Sequence, residues 1–299
     1  MKFGIKRFVE NIGVIAWNTL RQVVRMRVYG LVIAAVVLVV LAGFLDLPFV
    51  VDQGAPGAGA LMMMKSSGFG AINLFAVGLA IAGVSVTVSD EIRNRTLYLV
   101  FSKQVLRLEY LLGKWLGVML SIAVGVIAIE VFFYLALMVK ESGVVEEQLQ
   151  LARAADISGE KLLRLEQEIR AQGAQPELHW GAFAAFAKAS VVAAITLLMV
   201  FLSRSAIFAM GASFFVVLIG MFQSDALGVM TDGAGWLSQL FAGLVGVLFP
   251  NMKLYDAFDW SGVMQLGLEL QIKELVFLTG LYLTVYLGLA WAVFSRREL

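Results

Sequence analysis

The chain has 299 residues, 60% of them hydrophobic and 15% charged, where an average soluble domain has roughly 25% charged residues. That balance excludes a soluble enzyme, and a net charge of +1 supplies no basic field for nucleic acid. The lack of cysteine removes disulfides, thiolate metal sites and thiol catalysis. The single histidine, His179 beside Trp180, has no companion ligands for a metal and reads as an interfacial side chain.

Residues 1–27 are amphipathic at helical period. Arg7, Asn11, Asn18, Arg21, Gln22 and Arg25 fall on one side; Ile5, Phe8, Ile12, Ile15, Ala16, Leu20 and Val23 fall on the other. With Trp17 near the boundary, the pattern predicts a cytoplasmic interfacial helix lying along the membrane, either a plain anchor or a holder for a partner subunit. The polar stretch ahead of the first apolar window, and that window's length, argue against a cleaved signal peptide.

Six apolar windows follow, at 28–45, 69–88, 115–139, 181–202, 206–222 and 275–294, and they contain only two charged residues, Glu130 and Lys188. Each is close to the roughly 17 to 25 residues that cross a bilayer as a helix. The expected fold is all-α, one polytopic membrane domain over 1–299 with six transmembrane helices. Gly54 to Gly59 form an outer loop that only superficially resembles a phosphate loop, because it follows a membrane helix and does not complete the spacing.

The link 89–114, between the second and third windows, mixes charge with an apolar face. Leu97, Val100, Phe101 and Val105 recur at helical spacing, which predicts a short amphipathic helix that lies on the membrane or fits a groove in another protein. Arg93, Arg95 and Lys103 are placed to steer an acidic partner; unoccupied positive-inside charge is the plainer reading. The third window carries Gly113, Gly117, Ser121 and Gly125 at four-residue spacing, a small stripe that permits close helix packing within the subunit or across a dimer.

Glu130 and Lys188 lie at similar depth below the outer boundary and are expected to pair between adjacent helices. Asn73, in the second window, is a third intramembrane polar candidate, suited to a helix–helix hydrogen bond. Residues 140–180 read as an outer hairpin of two short helices around Asp156-Ile157-Ser158-Gly159, with Ser158 as N-cap and Leu162, Leu165 and Ile169 as its small core. The apolar run 236–250, ended by Pro250, is short for a span and reads as a re-entrant or interfacial outer helix.

Lysine and arginine cluster in the amino-terminal segment, in 89–114, at Arg204 and at Arg296 and Arg297. The positive-inside rule therefore puts these segments and both termini in the cytoplasm, in a plasma (inner) membrane.

The order Glu91, Thr96-Leu97, Ser102-Lys103, Arg107 and Gly113-Lys114 entering a span resembles the permease subunits of type-2 ATP-binding cassette exporters, especially the branch associated with multi-copper enzyme maturation and gliding motility. Leu248-Phe249-Pro250-Asn251 looks like that branch's outer Pro-Asn element, and Phe294 to Leu299 is similar to its basic tail. Gln104 stands where such permeases usually carry proline.

The resemblance implies that 89–114 is a coupling segment docked on a separate ATPase, with Glu91, Arg93, Arg95, Thr96, Leu97, Ser102, Lys103 and Arg107 transmitting its motion. It also implies a second permease subunit, identical or related, in the lipid bilayer. The chain itself is expected to be non-catalytic and to bind no cofactor, with ATP and magnesium on the partner. A phosphate loop needs a glycine five residues before Gly-Lys and a hydroxyl after it, whereas Gly113-Lys114 is flanked by Leu108 and Trp115. The alternatives are a stand-alone secondary transporter, for which two charges near the outer face are thin support, and a membrane anchor or assembly factor.

Overall fold

The computed structural model describes residues 2–45, 57–102, 105–157, 159–203, 205–231, 235–237, 240, 246, 249–256 and 268–296. Lys103, Gln104, Ser158, Arg204, Arg297 and most of 236–250 lie outside the described residues. Ten α-helices are described: α1 (Lys2–Val24), α2 (Arg27–Ala42), α3 (Ala58–Arg93), α4 (Thr96–Ser102), α5 (Arg107–Ala154), α6 (Gly159–Ala171), α7 (His179–Leu202), α8 (Ala206–Thr231), α9 (Lys253–Asp256) and α10 (Leu268–Arg296). No strand occurs among the described residues.

Five helices, α3, α5, α7, α8 and α10, contain stretches long and apolar enough to cross a membrane. The first predicted span differs. α2 has 16 residues, about 24 Å at 1.5 Å per residue, and reaches spanning length only together with α1, from which it is bent by 62°. The chain is therefore a multi-pass membrane protein, with five helices of spanning length and composition among the described residues, or six when the bent α1–α2 pair is counted as one.

α7 is the buried centre. Its small residues, including Ala184, Ala189, Ala193 and Ala194, are fully enclosed, and α3, α5, α8 and α10 all pack on it. Small side chains let helix backbones approach closely where lipid provides no hydrophobic drive between helices. By contrast α8 exposes Ile207, Phe208, Phe214, Phe215 and Phe222, as a lipid-facing helix should.

α5 does not stop at the predicted boundary near Val139 but runs on to Ala154. Residues 140–154 contain no proline and one glycine, Gly143, so nothing terminates the hydrogen-bond ladder. The expected outer hairpin is thus the end of α5 turned back into α6. Asp156 takes a left-handed conformation at φ 55° in the turn, and Ile169 is buried with Leu162 and Leu165 partly so. The structure accordingly has an α4 end, where α3, α5 and α10 meet α4 and α7 packs beside them, and an α6 end opposite.

Candidate functional site

At the α4 end, charge is turned inward. Glu91, near the end of α3, receives the Lys114 amine at 2.6 Å and the Tyr110 hydroxyl at 2.7 Å. Lys114 is 3% exposed and Glu91 19%. Burial lowers the Lys114 pKa while Glu91 opposes that shift, and burial together with Glu91 raises the Tyr110 pKa well above the usual phenol range. Both residues precede the apolar stretch of α5 that begins at Trp115.

Arg107 is the second tie. Its guanidinium donates to the carbonyl oxygens of Phe294 at 2.5 Å and Ser295 at 2.7 Å, neutralising the carbonyl end of α10 where a cation is favoured. An aromatic cluster fills the space between: Phe201 of α7 stacks on Phe294 of α10 at 4.3 Å, and Phe294 meets Phe101 of α4 at 6.0 Å and Tyr110 of α5 at 5.8 Å.

The amphipathic face of α4 is therefore occupied by its own chain. Leu97 is 1% exposed, and Val100, Phe101 and Val105 pack on the core. Before α4, at the end of α3 and in the turn that follows, Arg93 pairs locally with Asp90 at 3.0 Å and Arg95 is exposed. Thr96 donates its hydroxyl to the Glu91 carbonyl at 3.2 Å, and Ser102 closes α4. Of the candidate coupling residues, Glu91, Leu97 and Arg107 are internal ties, Arg93 and Arg95 are outward, and Lys103 is not described.

Arg95 sits at φ 55° in the tight turn from α3 to α4, a left-handed conformation that costs a residue with a Cβ about 1 kcal/mol or more. Arg95→Gly is expected to raise stability by roughly 1 kcal/mol in an equilibrium unfolding measurement.

The small stripe of α5 seats α1. A Cβ at Gly113 would lie 2.7 Å from Ile15, and one at Gly117 would lie 2.5 Å from the Thr19 side chain and 2.6 Å from the Ala16 carbonyl. Asn11 donates to Glu109 at 2.9 Å, 98 residues away, the same offset that relates Ile15 to Gly113 and Thr19 to Gly117. The two helices thus run side by side in the same direction. Further along, the Ser121 carbonyl accepts from Tyr29 at 3.0 Å, and Gly125 gives way to Phe75. All four small positions contact this same chain.

α1 is therefore not a free surface helix. It has three faces: one buried against α5 and α3 through Ala16, Thr19 and Val23; an exposed apolar strip with Val9, Trp17 and Val24; and a polar face with Arg21 and Arg25.

The expected Glu130–Lys188 pair is not formed. Lys188, 2% exposed, donates instead to Asp256 at 2.8 Å, and Asn73 donates to the same oxygen at 2.9 Å. Glu130 faces His179 at 2.7 Å, and the His179 ring stacks on Tyr134 at 5.3 Å. His179 is thus an inter-helix tie between α7 and α5 as well as a boundary residue. Equal depth does not give the angle around each helix axis, and Glu130 and Lys188 point to different neighbours.

Asp256 belongs to α9, inserted between α7 and α8. The Met252 amide donates to the Gly220 carbonyl at 3.1 Å, Met252 and Tyr255 are buried, and Tyr255 shares a 3.0 Å hydrogen bond with Thr279 of α10. Burial pushes the Tyr255 phenol up to about 12. A cavity of about 210 Å³ opens beside the cluster, lined by Ser66, Asn73, Tyr255 and Asp256 among others. Asp256→Asn should cost about 2 kcal/mol, below the value for a fully buried pair because Asp256 is a third exposed. The double variant Lys188→Met with Asp256→Asn should recover most of that in the same unfolding assay.

Sequence reasoning missed Asp256, Tyr110 and Phe294 as partners. Each meets its partner across a separation with no helical period, so only the assembled helices bring them together. Among the described residues no group of three or more histidine, aspartate or glutamate side chains is arranged to hold a metal. No protein-family description matches the chain, and no curated protein matches it significantly.

Proposed function

We propose that the chain is the transmembrane permease subunit of an ATP-binding cassette exporter, driven by a separate ATPase that docks on the outward side of α4. The observation that supports this reading most is mechanical. α4 is a seven-residue helix that touches α3 through the Thr96 hydroxyl on the Glu91 carbonyl and α5 and α10 through Phe101 against Tyr110 and Phe294. The ends of the long helices beside it are tied to one another by Glu91 with Tyr110 and Lys114, by Arg107 on the Phe294 carbonyl and by Phe201 stacked on Phe294. A displacement of α4 moves all four ends together, because packed interiors transmit strain.

In this reading the α4 end is cytoplasmic, both termini lie on that side, and the α5–α6 hairpin is outside, as the lysine and arginine distribution favours. α9 and the Lys188–Asp256 contact then lie toward the outer side, next to the re-entrant element expected around 236–250. The chain performs no chemistry. Its only Gly-Lys pair is inside α5, with Lys114 held by Glu91. A second permease subunit completes the pathway, and ATP with magnesium belongs to the partner.

Affinity purification of the tagged chain from its native membrane, followed by mass spectrometry and an ATPase assay, tests the proposal. The wild type should bring down a nucleotide-hydrolysing subunit, and Arg93→Glu with Arg95→Glu should lose most of it while leaving the unfolding midpoint intact, because both side chains face outward. A chain that purifies without any ATPase contradicts the proposal and favours an autonomous transporter or an anchor.

A further inference from the structure

We infer that the groove between α1 and the α3–α4 turn is a binding site for the headgroup of an anionic phospholipid. The groove has a volume of about 830 Å³ and is lined by the donors Asn18, Arg21, Gln22, Arg25, Asn94 and Thr96, a size in the range of small-molecule sites. Asp90 and Glu91 also border it, but each carboxylate is already paired, Asp90 with Arg93 at 3.0 Å and Glu91 with Lys114 at 2.6 Å. Among the described residues neither Arg21 nor Arg25 has a carboxylate partner, and Arg21 lies over the Trp17 ring at 4.9 Å. The unbalanced charge in the groove is therefore positive.

The shape and position of the site favour a lipid over an acidic peptide. The groove adjoins a second cavity of about 430 Å³, walled by Val14, Ile15 and Val105 together with Asn11, Tyr110 and Lys114, and sharing Asn18, Glu91 and Val100 with the first. A polar, cationic mouth joined to a chamber whose wall is mostly apolar surface suits an amphiphile. The groove reaches Arg25 and Met26, where α1 gives way to apolar α2, and Trp17 and Val24 are exposed on α1, the combination of tryptophan and arginine found where helices meet lipid headgroups. Basic pockets at this level attract anionic lipids, with about 1 kcal/mol of attraction per basic side chain near a charged surface. The site does not depend on an ATPase partner, so it stands or falls separately from the transport proposal.

Native mass spectrometry of the delipidated full chain tests it, with equimolar phosphatidylglycerol and phosphatidylcholine added back. The wild type should retain phosphatidylglycerol about thirtyfold over phosphatidylcholine, the scale expected for two arginines. Arg21→Gln with Arg25→Gln should bring the ratio near parity, Arg21→Lys with Arg25→Lys should keep most of the preference, and Lys161→Gln with Arg164→Gln on distant α6 should leave it unchanged. Parity in the wild type, a preference that survives Arg21→Gln with Arg25→Gln, or displacement of the lipid by millimolar inorganic phosphate would each overturn the assignment. Displacement by an acidic peptide instead would assign the groove to a protein partner and also overturn it.

Discussion

Glu91→Ala should lower the stability of the chain by about 3 kcal/mol, read as a fall of roughly 5–10 °C in the unfolding midpoint in mild detergent. The reason is what the substitution leaves behind. Lys114 is 3% exposed and has Glu91 as its carboxylate at 2.6 Å; removing that partner strands a buried ammonium, which costs far more than the ion pair contributes net. The Tyr110 hydroxyl loses its acceptor at 2.7 Å in the same step, and an unsatisfied buried donor adds its own penalty. Lys114→Met in the Glu91→Ala background removes the stranded charge and should restore more than half of the loss. If Glu91→Ala unfolds at the wild-type midpoint, Lys114 is not buried as described and the tie between α3 and α5 is not real.

Gly117→Leu should detach α1 from α5 and cost about 3 kcal/mol, at the upper end for overpacking. Even a methyl at this position would lie 2.6 Å from the Ala16 carbonyl oxygen, a backbone atom that no rotamer change can move aside. α1 must shift bodily, which breaks the Asn11–Glu109 hydrogen bond at 2.9 Å and exposes Ala16, Thr19 and Val23. Limited proteolysis within α1 should accelerate in step with the fall in midpoint. Gly70→Leu on α3 is the control, since a Cβ there meets no atom within 4 Å, and it should leave both readings near wild type.

What the sequence disclosed and what it withheld follow from the range of each interaction. Apolar windows of spanning length are local properties, so α3, α5, α7, α8 and α10 were legible as spans from composition alone. The first window was misjudged in part: the chain bends between Val24 and Arg27, and no proline or glycine marks the place. The extension of α5 to Ala154 was a question of where a helix stops, and polar composition was mistaken for a stop signal although no breaker is present.

The candidate site divides the same way. Arg93 and Arg95 are exposed on the link that periodicity singled out, and the four-residue spacing of Gly113, Gly117, Ser121 and Gly125 marked a packing face whose partner, α1, periodicity could not name. Glu130 and Lys188 were recognisable as intramembrane charges, but their partners, His179 and Asp256, come from the start of α7 and from α9. Helical depth is readable from residue number; the direction a side chain points in the assembled bundle is not.

The proposed transport role turns on a contact between an ATPase and the α3–α4 turn with the outward side of α4. A photo-crosslinking amino acid at Arg95, in cells carrying the chain at its native level, tests that contact most directly, with the same amino acid at Leu163 on exposed α6 as the control. An ATP-dependent crosslink from position 95 to a nucleotide-binding subunit is expected, and none from position 163. Crosslinks from position 95 to lipid alone, or to no nucleotide-binding protein, would contradict it.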